Sequence, residues 1–107
     1  MQLNNIPVLQ EAIRAAEHCE SRHLKTVRVR ETFAAELAWE GMVETFELLN
    51  HPTATECYAW AYRENSETKT MLILRSERND GPEAAVEAAI AERRKHRRPN
   101  ARRLSPP

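Results

Sequence analysis

The stretch that decides the fold is Ala34-Ala-Glu-Leu-Ala-Trp-Glu-Gly-Met-Val-Glu-Thr-Phe-Glu-Leu-Leu-Asn50. Its larger apolar residues recur at steps of three and four, which is the spacing of an amphipathic helix. Against a helix, Gly41 in mid-segment costs about 1 kcal/mol, and the β-branched Val43 and Thr45 favour a strand. Periodicity alone leaves both structures open, and the number of strands in the sheet depends on the answer.

The segments on either side of this stretch have clearer patterns. Residues 25–33 alternate between apolar and polar side chains, with Val27 and Val29 on one side, which predicts a half-buried strand. Residues 57–62 and 70–75 are two β-prone runs separated by the polar residues 63–69, which predicts a hairpin. In that hairpin Tyr58, Trp60 and Tyr62 share one face of the first strand.

Helices are predicted at both ends of the chain. Residues 6–19 place apolar side chains at helical spacing, and Pro7 suits the first turn. A second helix is expected to open at Asp80-Gly-Pro-Glu83, with Pro82 as its first residue, and to stop before Pro99. Its stripe of small residues suits close packing on a sheet.

Length and composition indicate one globular domain. The chain has 107 residues, with 41% apolar and 30% charged residues, which is too apolar for a disordered chain. We expect a domain over residues 1–98 and a flexible basic tail over 99–107. There is no apolar run of about 18 residues, so we expect no membrane span. Two cysteines without a visible export signal predict reduced thiols and a cytoplasmic location.

The charges are sorted along the chain. From residue 93 onward there are seven cations and no acid, so the other nine Lys and Arg stand against all sixteen Asp and Glu, a net of −7 for residues 1–92. Such a basic run can neutralise phosphates in a sequence-independent, salt-dependent way, which makes nucleic acid a possible partner. No recognised nucleic-acid reading motif accompanies it. The cations are Arg93, Arg94, Lys95, Arg97, Arg98, Arg102 and Arg103.

Cysteine and histidine provide weak candidates for a metal site. Cys19 and His23 form one pair and His51 and Cys57 another, and zinc takes four such ligands. The spacing matches no strong zinc pattern, and both cysteines lie on apolar segments, where a free cysteine packs as a small hydrophobe. A Cys57 nucleophile is disfavoured because its neighbourhood is apolar and Glu56 is adjacent. We therefore predict no metal, no cofactor and no catalytic residues.

A set of glutamates lies in the deciding stretch. If that stretch is a strand, Glu36, Glu40 and Glu44 share a face, while Glu47 lies on the other. We interpret them as a solvated acidic surface rather than as paired general acids.

Several motifs together resemble a group of small uncharacterised bacterial proteins. They are Trp39-Glu-Gly-x-Val-Glu-x-Phe46, His51-Pro-x-Ala-x-x-Cys-Tyr-Ala-Trp60 and Pro82-Glu-Ala-Ala-Val-x-x-Ala-Ile90. The resemblance covers about residues 5–92 and implies that residues 37–49 form a strand. It implies no activity, so no catalytic residue follows from it.

These observations predict an α+β fold with an N-terminal helix, a three- to four-stranded antiparallel sheet, and a C-terminal helix packed on one sheet face. Both helices are expected on the same face, which leaves the other open. We expect a non-enzymatic binding or interaction module that uses this open face and self-associates, with a homodimer or protein partner. The alternative is a nucleic-acid-associated protein that uses residues 93–103. The predicted partner surface consists of Trp39, Tyr58, Trp60 and Tyr62, and the favoured alternative for Trp60 is packing in the core.

Overall fold

The protein folds as a four-stranded antiparallel sheet with one helix before it and one after it. The structure, a computed structural model, describes residues 3–33, 36–77 and 79–97, with the side chains of all of these except 33, 36–38 and 93–97. The strands lie in the order β1-β2-β3-β4, each antiparallel to its neighbour. The predicted α+β fold is therefore confirmed. The elements are α1 (Ile6–Glu17), β1 (Glu20–Phe33), β2 (Glu36–Leu49), β3 (Glu56–Glu64), β4 (Glu67–Leu74) and α2 (Pro82–Arg97).

The deciding stretch is a strand. β2 pairs with β1 along its whole length, from Glu36 to Leu49. Val43 and Phe46 are both fully buried although they point to opposite faces of the sheet. Because the strand is covered on both faces, it carries apolar residues at odd-numbered and at even-numbered positions. Together these residues gave the steps of three and four that resemble a helix. Tertiary pairing overrides the local pattern.

The boundaries of α1 and β1 differ from the prediction. Asn5 caps α1, because its Oδ1 accepts the backbone N–H of Val8 at 3.2 Å. The helix ends at Glu17, two residues before the predicted end, and His18 has a left-handed φ of 58°. β1 begins at Glu20, five residues before the expected strand, with a register shift between His23 and Lys25.

The turn between β3 and β4 is shorter than predicted. The two strands extend to Glu64 and Glu67, so the turn consists of Asn65 and Ser66 alone. Both residues have positive φ, 52° and 68°, as a two-residue type I′ hairpin requires. The predicted turn was too long because polar residues also occupy the exposed ends of both strands.

The two helices lie on opposite faces of the sheet, so the prediction of one open face was wrong. Leu9 and Ile13 of α1 pack with Phe46, Cys57 and Ala59. The opposite face is covered by α2, whose small residues pack on large ones of the sheet. Four consecutive residues of β3 are buried, which requires cover on both sides. The cluster under α2 contains Val29, Val43, Tyr58, Trp60, Ala85, Val86 and Ala89.

Candidate ligand-binding cleft

The sheet splits between its two hairpins. β2 and β3 pair only through four residues each, from Glu44–Glu47 on one strand to Ala59–Glu56 on the other. Beyond this point β2 continues to residue 36 and β3 to residue 64 without pairing with each other, while each stays paired with its outer neighbour. These diverging halves of β2 and β3 form the sides of a cleft.

Asn4 bridges the split where the ladder stops. Its Oδ1 accepts the backbone N–H of Ala61 at 2.7 Å, and its Nδ2 donates to the backbone oxygen of Met42 at 2.9 Å. Continuing the register of Glu44 with Ala59 would pair Met42 directly with Ala61. The Asn4 amide therefore links the two backbone groups that would be hydrogen-bonded directly if the ladder continued. Sequence reasoning missed Asn4, because an asparagine next to a helix start is expected to cap the helix.

The cleft encloses a cavity of about 760 Å³ between α2 and the split. One wall is aromatic: the rings of Trp39 and Trp60 lie with their centroids 5.5 Å apart, at an angle of 53°. Such tilted pairs are a favourable aromatic arrangement. The apolar lining consists of Leu3, Trp39, Met42, Trp60, Ala61, Tyr62, Met71, Val86, Ala89 and Ile90.

Gly41 lets the Trp39 indole lie flat on β2. A Cβ at position 41 would stand 2.9 Å from Cη2 and from Cζ2 of Trp39, closer than real Cβ contacts allow. Residues 39 and 41 share a face of the strand, so the ring covers the glycine. The Trp-Glu-Gly sequence thus positions one wall of the cleft.

Charged groups flank the cleft on the polar side. Arg28 Nη2 lies 2.6 Å from Glu40 Oε2, so these two side chains largely neutralise each other. Arg63 is exposed and donates to the backbone oxygen of Ser66 at 3.3 Å, and it forms no ion pair with any residue that the structure describes. The cleft is therefore apolar in its depth and has a cation available at its edge.

Three of the four predicted surface residues line the cleft. Trp60 is 3% exposed, while Trp39 and Tyr62 are half-buried. Tyr58 lies instead in the core under α2, where burial raises the pKa of its phenol although the charge of Arg75 acts to lower it. The other lining residues come from all four strands, α2 and the segment before α1, and no pattern in the sequence linked them.

A polar network lies inside the α1 face of the sheet, next to Asn4. Glu44 is fully buried, which corrects its assignment to a solvated surface. Its carboxylate accepts hydrogen bonds from Thr26 Oγ1 at 2.5 Å, His23 Nε2 at 2.8 Å and Asn4 Nδ2 at 2.9 Å. Burial acts to raise the pKa of Glu44, but these donors outweigh it and hold the pKa below its ordinary value.

His51 has a structural role in the loop before β3. Its side chain is 5% exposed, and its Nδ1 accepts the backbone N–H groups of Thr53 at 3.1 Å and Ala54 at 2.9 Å. The proton is therefore on Nε2, which donates to Glu17 Oε1 at 2.9 Å. Through Glu17, His51 ties this loop to the last residue of α1.

The two cysteines are not placed as nucleophiles. Burial and the neighbouring Cys19 and Glu17 raise the pKa of Cys57 to about 12. Burial, followed by Glu17 and Glu20, also raises the pKa of Cys19. Both thiols stay protonated at neutral pH. Among residues 3–33, 36–77 and 79–97, no three His, Cys, Asp or Glu side chains are placed to hold a metal ion.

The basic run falls mostly beyond the part that the structure describes. The backbone of α2 extends to Arg97, but the side chains of residues 93–97 and the whole of 98–107, including Arg98, Arg102 and Arg103, lie outside the described residues. Nucleic-acid contact through this run therefore stays a prediction.

Two further findings concern membrane-spanning helices and similarity to known proteins. Neither α1 nor the described length of α2 combines the length and the apolar character that a membrane-crossing helix needs. The resemblance to a bacterial family drawn from the motifs stays a prediction. No protein-family model matches the chain, and neither a curated protein nor a solved structure does so.

Proposed function

We propose that this protein is a binding module that takes an apolar ligand into the cleft between α2 and the split of β2 and β3. The observation that carries the proposal is a cavity of about 760 Å³ with a wall formed by Trp39, Trp60, Tyr62 and Met71. This volume is within the range of small-ligand pockets, which are mostly apolar with a few polar groups.

The polar groups at the cleft support a role in binding. The side-chain amide of Asn4 is hydrogen-bonded to the backbone of β2 and β3, and Arg28 forms an ion pair with Glu40. These side chains hold the walls in place, and Arg63 remains to meet a charged part of the ligand. The site thus offers shape, aromatic surface and one cation.

Self-association and a cytoplasmic location are the other two predicted properties. The prediction of self-association depends on an open sheet face, whereas α1 and α2 cover both faces of the sheet. A homodimer would then use a sheet edge or the exposed large apolar side chains, which among the described residues are Leu3, Val8, Leu24 and Leu49. Free thiols at Cys19 and Cys57 support the proposal of a reducing compartment such as the cytoplasm.

Intrinsic fluorescence tests the proposal directly, because the two tryptophans of the chain both line the cleft. We expect 1-anilinonaphthalene-8-sulfonate to quench their emission saturably. Trp39→Ala removes part of the wall and is expected to weaken binding about tenfold, with Trp60 left as the reporter. Val8→Ser is the matched control, because Val8 is 56% exposed on α1 and lies outside the cleft lining.

Two outcomes would overturn the proposal. One is the absence of saturable quenching in the folded protein. The other is quenching that Val8→Ser weakens and Trp39→Ala leaves unchanged, because the dye would then bind the exposed surface of α1.

A further inference from the structure

We propose that the natural occupant of the cleft is an extended peptide segment that inserts between β2 and β3, antiparallel to one strand and parallel to the other. This inference rests on the proposed binding function and specifies its ligand class. Peptides commonly bind proteins by adding a strand to a sheet, with backbone hydrogen bonds for affinity and side-chain pockets for specificity.

The register shows which backbone groups face the split. In an antiparallel strand the N–H and C=O of one residue point to the same side, and successive residues alternate. Leu48 N donates to Thr55 O at 2.8 Å, and Met42 O meets Asn4 at 2.9 Å, so the even-numbered residues of β2 point toward β3. The N–H of Ala61 also meets Asn4, so the odd-numbered residues of β3 point toward β2.

The next residues outward offer backbone groups to an incoming strand. By the same alternation, Glu40 on β2 and Arg63 on β3 direct their N–H and C=O groups into the cleft, where the two strands no longer pair with each other. Both residues line the cavity. A sheet edge with such groups is a template for another strand.

Asn4 shows that the split already admits an amide. Its side-chain amide is hydrogen-bonded to both strands, with bonds of 2.7 Å and 2.9 Å. These bonds and the amide between them separate Ala61 N from Met42 O by up to roughly 8 Å. When a strand is inserted between two paired strands, an N and an O atom that were hydrogen-bonded directly move to about 7.7 Å apart. At full extension, the Asn4 bridge thus spans nearly the width that an inserted strand needs.

The walls define the side chains of the peptide. Because side chains of a strand alternate, one residue of the peptide would face the aromatic wall of Trp39, Trp60 and Tyr62. The residues before and after it would face the opposite side, near Arg28. A bulky apolar residue is expected at the centre, and an acidic residue is expected within reach of Arg63, which forms no ion pair with the described residues.

The probe is a capped seven-residue peptide in which Leu and Thr alternate around a central Phe, with one terminal Glu. We expect it to quench tryptophan emission saturably and to compete with 1-anilinonaphthalene-8-sulfonate. A second peptide with the same side chains but with alternate backbone amides N-methylated lacks half of the donors, and we expect it to bind at least tenfold more weakly.

A pair of protein variants tests the backbone contact at Arg63. Its N–H points toward the split and not toward β4, so Arg63→Pro removes this donor without removing a β3–β4 hydrogen bond. Arg63→Ala loses the same side chain but keeps the N–H. We expect Arg63→Pro to bind the peptide at least fivefold more weakly than Arg63→Ala, with thermal unfolding of both variants as the check on folding.

The outcomes separate this inference from the proposed function. If the dye binds but the peptide does not, or if the N-methylated peptide binds equally well, strand insertion is wrong and the apolar cleft still stands as a binding site. If Arg63→Pro and Arg63→Ala, both folded, bind the peptide equally, the inference also fails. If neither dye nor peptide binds, both proposals fail.

Discussion

The buried carboxylate of Glu44 lies 2.8 Å from Nε2 of His23, twenty-one residues earlier in the chain. The pair joins β1 to β2 on the face that α1 covers, next to the Asn4 bridge. A buried charge is costly unless it is paired and hydrogen-bonded. Glu44 meets that condition with donors from His23, Thr26 and Asn4.

Removing the charge of Glu44 is expected to destabilise the protein at neutral pH and much less in acid. The pKa of Glu44 is lower in the folded protein than in the unfolded chain, so its stabilisation is present above the unfolded pKa of about 4.3 and is lost as the pH falls through the folded pKa. Glu44→Gln should cost about 2 kcal/mol at pH 7. Urea unfolding at pH 7 and at pH 3 measures the change.

Glu40→Gln is the matched control for Glu44. Glu40 lies four residues away on the same face of β2, but its carboxylate meets Arg28 in solvent. Exposed ion pairs contribute little to stability, so this variant is expected to have a much smaller effect than Glu44→Gln. Equal effects of the two substitutions would contradict the role given to the buried network.

The bridge at Asn4 predicts a second stability effect. Asn4→Ala leaves the N–H of Ala61 and the oxygen of Met42 without their partner and should cost about 2–3 kcal/mol. Asn4→Asp should cost more at pH 7 than at pH 4, because its carboxylate would face Met42 O and the carboxylate of Glu44. Asn5→Ala, which removes only the cap of α1, should cost about 1 kcal/mol in the same urea assay. An Asn4→Ala variant no less stable than Asn5→Ala would show that the split does not depend on the bridge.

The packing of Trp39 on Gly41 can be measured by a double-mutant cycle. Gly41→Ala should destabilise the protein by about 1–2 kcal/mol, because the new methyl group would push the indole away. In a Trp39→Ala background the same change should be neutral or slightly stabilising, since alanine is favoured over glycine in a strand. Chemical unfolding of the four proteins gives the coupling energy. If Gly41→Ala destabilised both backgrounds equally, its cost would not come from contact with the Trp39 ring.

The sequence predicted most elements of the fold because their signals are local. Pro82 and the acidic first turn marked the start of α2, and alternation in residues 25–33 marked β1. Placing α1 and α2 on one face failed, because no local signal says which side of a sheet a helix covers. The available clue was in β3, which is apolar on both faces. Cys57 and Ala59 lie on one side and Tyr58 and Trp60 on the other, which indicates that both faces of the sheet are covered.

The cleft could be predicted only in part. The alternation of β3 placed Trp60 and Tyr62 on one face, and Trp39 was included with them. The split between β2 and β3 depends on how far two strands pair, which involves contacts such as that of Asn4 with Ala61 across 57 positions. Register over such separations is a property of the folded sheet and leaves no pattern within either strand.

The β3–β4 turn offers a stabilising substitution. Ser66 has a φ of 68°, a conformation that costs an ordinary residue about 1 kcal/mol and glycine almost nothing. Ser66→Gly creates the Asn-Gly turn that type I′ hairpins prefer and should raise the free energy of unfolding by about 0.5–1 kcal/mol. Ser66→Ala keeps the Cβ and should bring no gain. A gain for both would mean that the serine hydroxyl, rather than the backbone conformation, is unfavourable in the turn.

The raised pKa of Cys57 predicts a slow thiol. With a pKa of about 12, its thiolate fraction at pH 8 is roughly three orders of magnitude below that of a free cysteine, and its side chain is also buried. In a Cys19→Ser variant, alkylation of Cys57 by iodoacetamide should therefore proceed only as fast as the protein unfolds, and it should accelerate sharply in urea. A Cys57→Ser variant, which leaves the half-buried Cys19, should react faster in buffer. If Cys57 in the folded protein were labelled at the rate of free cysteine, the thiol would be exposed and ionised, and it would return as a candidate nucleophile.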